Sequence, residues 1–142
     1  MGIEDALYTY LSNHEELSKL VGTRIYPDHL PESPNYPAIV FNMISSPQNH
    51  TMGKDPGIAC PRYEFTCWGK TKPNAKNVAS QLIAALKDYS GTMGTKKGES
   101  EEIAVEGIAV QRIFLDDEFD DEMDPIKGTY SRVLEFIIWY EE

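Results

Sequence analysis

Between Arg62 and Leu86 the apolar period changes from strand-like to helical within a few residues, and that switch restricts the chain more than any other feature. Arg62 to Trp68 alternates Tyr63, Phe65 and Cys67 on one face with Arg62, Glu64, Thr66 and Trp68 on the other, the period of a strand with one apolar face. After Gly69, Thr71 is placed to cap a helix, Pro73 lies in its first turn, and Ala75, Val78, Ala79, Leu82, Ile83, Leu86 and Tyr89 follow at helical spacing. A strand that turns directly into an amphipathic helix buries both apolar faces most economically in one shared core, with helix packed on sheet.

The flanking segments extend this layer. Ile3, Ala6, Leu7, Tyr10, Leu11, Leu17, Leu20 and Val21 recur at spacings of three and four and predict one amphipathic helix over 3–21, with Gly22 as its stop. Arg24-Ile25-Tyr26-Pro27 reads as a short edge strand, and Pro31, Pro34 and Pro37 make the chain after it an extended connection. Ala38 to Ser45 is a mostly apolar run, expected of a strand buried on both faces or lying at a subunit contact. Ile103 to Leu115, with a break at Gly107, and Tyr130 to Tyr140 read as two long strands rich in β-branched and aromatic residues. The expectation is a single domain over 1–142 of α+β class, a mainly antiparallel β-sheet with two helices packed on it.

Two segments have little to bury and read as mobile loops, about 46–60 and 90–102. The first, which holds Gln48, Asn49, His50, Thr51, Met52, Lys54 and Asp55, joins two strands and is long enough to be a candidate assembly loop. A third segment, Asp116 to Lys127, reads as a hairpin connection; Asp116, Asp117, Glu118, Asp120, Asp121, Glu122 and Asp124 give it seven carboxylates, which makes it a candidate acidic rim.

Charge and motifs narrow the function. A formal charge of −10 argues against a protein that grips nucleic acid, because such affinity rests on Lys and Arg neutralising phosphates. No apolar stretch reaches the roughly 18–20 residues of a membrane span, and the N-terminus lacks a basic region followed by an apolar run, so neither export nor insertion is expected. Met1-Gly2 does not extend to a myristoylation signal, since Ala6 stands where Ser or Thr is required. Cys60 and Cys67 form no zinc or disulfide framework, and Cys67 shares the apolar face of its strand, as a small core residue would.

The acidic run fails as a calcium loop: counted from Asp116, the sixth residue is Asp121 rather than Gly and the twelfth is Lys127 rather than Glu. His14, His29 and His50 have no metal-ligand spacing, and Gly94 to Gly98 lacks the glycine pattern of a phosphate loop. Trp68, Trp139 and Tyr140 lie among acidic rather than basic residues and read as core or subunit-contact aromatics. No catalytic residue, cofactor site or metal site is expected, and the chain does not read as an enzyme.

Several phrases in order carry a resemblance. Val21-Gly22-Thr23-Arg24-Ile25-Tyr26-Pro27, then Leu30-Pro31 and Tyr36-Pro37-Ala38-Ile39-Val40-Phe41, resemble the opening of the tail completion (tail terminator) proteins of siphovirus-type bacteriophages and prophages. Arg62 to Trp68, the helix with Ala75, Val78, Ala79 and Leu86, and the closing strand Tyr130 to Tyr140 match in the same order, so the resemblance spans about Ile3 to Glu141. It implies a tail-terminator-like subunit, made in the host cytoplasm and carried in the virion. Its implied partners are further copies in a hexameric ring, the major tail-tube protein and the head connector. DNA would pass through that ring without specific binding, and an acidic lumen would serve this. Two other readings stay open: a head-completion or adaptor protein on the portal side, and an acidic DNA-mimicking inhibitor.

Overall fold

A computed structural model describes residues 2–31, 35–46, 57–93, 96–97, 103–105, 107–120 and 128–141. Its first helical segment is two helices, α1 (Ile3–Ser12) and α2 (Glu15–Val21), rather than the single helix that the periodicity predicts. The apolar rhythm skips the five positions between Leu11 and Leu17, and the break lies there. Asn13 Nδ2 donates to Thr9 O at 2.8 Å, ending α1, and His14 turns extended so that its Nδ1 accepts from Leu17 N at 3.4 Å. With α3 (Lys72–Leu86), three helices rather than two are present among the described residues.

Thr71 caps α3 as predicted, its Oγ1 accepting from Asn74 N at 3.2 Å. Gly69 permits the tight approach between strand and helix. A Cβ there would stand 2.8 Å from Ala75 N and 3.0 Å from Asn74 Cβ, closer than packed atoms tolerate.

The strands are β1 (Ile25–Pro27), β2 (Ala38–Ser45), β3 (Ile58–Ala59), β4 (Arg62–Gly69), β5 (Gly91–Met93), β6 (Lys96–Lys97), β7 (Ile103–Val105), β8 (Ile108–Asp120) and β9 (Tyr130–Glu141). A seven-stranded sheet runs β1-β2-β4-β9-β8-β5, with β3 also paired to β9 and β6-β7 forming a separate ribbon. Among the described residues only the β1–β2 pair in this sheet is parallel. The predicted 103–115 strand is therefore two strands, parted at Gly107.

Register carries single rows of residues across the sheet. Ile25, Ile39, Cys67, Arg132 and Asp120 form one row, and Pro27, Phe41, Phe65, Leu134 and Glu118 another. Phe41 stacks on Phe65 with centroids 5.6 Å apart, and Phe65 meets Phe136 edge to face at 5.6 Å. Leu7, Leu11, Leu17, Val78, Leu82 and Leu86 complete the core from the helices, each fully buried large side chain contributing about 1.5–3 kcal/mol. Tyr10 ties α1 to α3 by donating to Ala85 O at 2.7 Å.

Two expectations about loops need correction. The segment 90–102 contains β5, whose Met93 is buried in the core, and the short β6; a lone apolar residue in a polar run was too weak a signal to mark a strand. In the segment 46–60, Ile58–Ala59 form β3, which lies beside Tyr140 and Glu141. Pro61 bridges β3 to β4, its carbonyl accepting from Ile138 N at 3.0 Å although it has no N–H to give.

Candidate functional site

The acidic run is not a solvated connection throughout. β8 continues through it to Asp120, where Asp117, Glu118, Phe119 and Asp120 pair with Glu135, Leu134, Val133 and Arg132. The strand survives the carboxylates because β9 supplies Arg132 and apolar cross-strand neighbours, and further cations come from Arg62 on β4 and Lys72 on α3. Arg132 donates from Nε to Glu118 Oε1 at 2.7 Å, from Nη1 to Asp120 Oδ1 at 2.6 Å, and from Nη2 to Glu118 as well. Lys72 Nζ, at the start of α3, reaches Asp120 Oδ2 at 3.7 Å. Beyond a bulge between Leu115 and Asp117, Asp116 pairs with Arg62, which also lies 3.6 Å from Glu135 Oε2.

The electrostatics follow this pairing. Hydrogen bonding to Arg132 holds the Asp120 carboxyl below its ordinary value, and Glu118 raises Arg132 in return. Asp116 likewise raises Arg62. Asp117 Oδ1 accepts from the backbone N–H of Glu118 at 2.9 Å. Asp116, Asp117, Glu118 and Asp120 thus lie together on one strand with two arginines, which sequence reasoning passed over because their partners stand far away along the chain. Asp121, Glu122 and Asp124 lie outside the described residues.

The candidate assembly residues Gln48, Asn49, His50, Thr51, Met52, Lys54 and Asp55 also lie outside the described residues. The strand leading to them shows a split character. Ala38 to Phe41 are buried, whereas Met43 is 50% and Ile44 44% exposed. On β8, Phe114 and Phe119 are 43% and 42% exposed. Four large apolar side chains therefore stand in solvent at two separate edges of the sheet.

Other residues singled out by sequence have structural surroundings. Cys67 is fully buried, and that burial pushes its thiol well above the ordinary range. Trp68 and Trp139 are half-buried on the sheet face opposite the helices, and Tyr140 packs against the core. His14 caps α2 and borders an open groove with Tyr10, Asn13, Glu15, Glu16 and Thr92. Among the described residues no three His, Cys, Asp or Glu side chains are grouped to hold a metal, and no helix is long and apolar enough to cross a membrane.

This architecture has a counterpart among solved structures. A chain from the virion of a native gene transfer agent particle has the same fold with a TM-score of 0.64 at 16% identity, and the match covers 99% of this chain and 95% of that one. No curated protein sequence matches. The family model described as tail completion protein gp17 matches residues 5–141, nearly the whole chain. The chain belongs to this bacteriophage tail completion family, and its role is that of a virion structural protein in tail completion and head joining.

Proposed function

We propose that the protein forms a hexameric ring on the head-proximal end of the tail tube, stops tube growth there and offers the surface that meets the head connector. Family membership over residues 5–141 carries the reading. The four exposed apolar side chains at the two sheet edges support it, because a head-to-tail contact that closes into a ring needs two different surfaces on each subunit. Purified protein added to tails from a phage lacking this gene should restore joining to heads and infectivity. Binding to isolated heads, with none to tails, would instead favour an adaptor on the portal side.

In the same reading Gln48 to Asp55 engage the tube, and the acidic residues from Asp116 to Asp124 lie where neighbouring subunits meet at the rim of the DNA passage. Arg62 and Arg132 neutralise part of that charge, but the carboxylates outnumber the cations around them. Replacing 48–57 by a tight Asn-Gly turn should leave the circular dichroism spectrum unchanged and abolish tail completion. Wild-type complementation by this variant would remove the segment from the mechanism.

A further inference from the structure

We propose that neighbouring copies join edge to edge, with β8 of one subunit from Phe114 to Asp117 pairing antiparallel with β2 of the next from Asn42 to Ser45. The inference rests on the ring reading and adds the contact that closes it.

Three observations meet here. First, both segments lack a strand neighbour on one side among the described residues: β5 covers β8 only over Ile108–Val110, and β1 covers β2 only over Ile39–Phe41. Such edges present unpaired backbone donors and acceptors to a second chain. The pairing is confined to a few residues, because β8 beyond Asp117 is level with β1, which already lies beside β2. The N–H of Glu118 is taken by the Asp117 side chain, and β2 ends at Ser45.

Second, direction and level agree. β2 is antiparallel to β4, β4 to β9 and β9 to β8, so β8 runs antiparallel to β2. A neighbour rotated about an axis along the strands would bring its β2 beside β8 in the antiparallel sense. The rows Met43, Tyr63, Phe136, Leu115 and Ser45, Arg62, Ile137, Phe114 put the two free segments at one level. On the face away from the helices Ile44 would then cover Phe114, and on the helix-covered face Met43 would meet Leu115, so exposed apolar side chains of both edges would leave water together.

Third, charge is complementary along the same line. Asp120 ends β8 in the row of Ile25, and Arg24 directly precedes Ile25 at the opposite edge of the sheet. Lys70, with Nζ 5.0 Å above the Tyr36 ring, stands at the same end. An acidic strand end of one copy would meet these cations of the next, favouring the head-to-tail contact over pairing of two acidic β8 edges.

Short bis-maleimide cross-linking of full-length Ile44→Cys, Phe114→Cys and the double variant, each loaded on tail tubes, tests this. The native Cys60 and Cys67 are buried and give a low background. The double variant should yield a ladder ending in a closed oligomer, the mixed single variants dimers only, and each single variant alone none. Linking of Phe114→Cys to itself, or no ladder although electron microscopy shows a ring on the tube, would overturn edge pairing and leave the ring reading standing. Absence of any ring at the tube end would remove both.

Discussion

The guanidinium of Arg132 is held against the carboxylate of Glu118, with Nε donating to Oε1 at 2.7 Å across the β8–β9 pair. The first half of the acidic run is therefore fastened to the sheet instead of hanging from it. The same guanidinium holds Asp120, and Lys72 links that carboxylate to the start of α3.

Replacing Arg132 by Gln should destabilise the fold at neutral pH. Hydrogen bonds to charged groups contribute about 1.5–3 kcal/mol, and partial exposure of the Arg132–Glu118 pair reduces the expected loss to about 1–2 kcal/mol. The pH dependence has a definite sign. The Asp120 carboxyl is depressed in the folded state from its ordinary 3.8, so its share is present above that value and is lost as the pH falls through the lower folded value. Urea unfolding of both proteins should show the gap steady from neutral pH down to this range and narrowing below it. An unchanged midpoint at pH 7 would mean that the network contributes nothing.

Gly69→Ala should lower stability by about 1–3 kcal/mol, the usual cost of forcing atoms into a filled site. The added Cβ meets backbone at Ala75 N, 2.8 Å away, so relief requires moving α3 relative to β4. Equal urea midpoints for variant and wild type would show that the β4–α3 junction is looser than its geometry states.

The Cys67 thiol should resist aromatic disulfide reagents in the native protein and react only as the chain unfolds. It is fully buried, and burial raises its thiol far above the range in which a thiolate forms at neutral pH. A Cys60→Ser variant isolates it. Prompt labelling under native conditions would contradict both its core position and the absence of reactive chemistry there.

How far the sequence was readable follows from where each signal was local. The β4 alternation and the capped α3 rest on short-range periodicity, and the register confirms Tyr63, Phe65 and Cys67 on the helix-covered face. The one-helix reading of 3–21 failed because the gap between Leu11 and Leu17 was passed over as one missed turn, whereas the caps at Asn13 and His14 end one helix there and start another. The acidic run read as a connection because strand propensity counts carboxylates against a strand. What keeps β8 extended to Asp120 is Arg62, 54 residues away from Asp116, together with Arg132 on β9. Likewise, the apolar run Ala38 to Ser45 did not reveal that its first half is core and its second half surface, because that division depends on where β1 stops.

The central claim is that this chain closes the tube. Electron microscopy of tails assembled with and without it, with tube lengths measured and the head-proximal end resolved, tests that claim most directly. Uniform tails, each capped by one hexameric ring of this protein, are expected when it is present, and uncapped tubes of uncontrolled length that fail to join heads when it is missing. Tubes of normal, uniform length in its absence, or the protein found only on the head side of the junction, would contradict that claim.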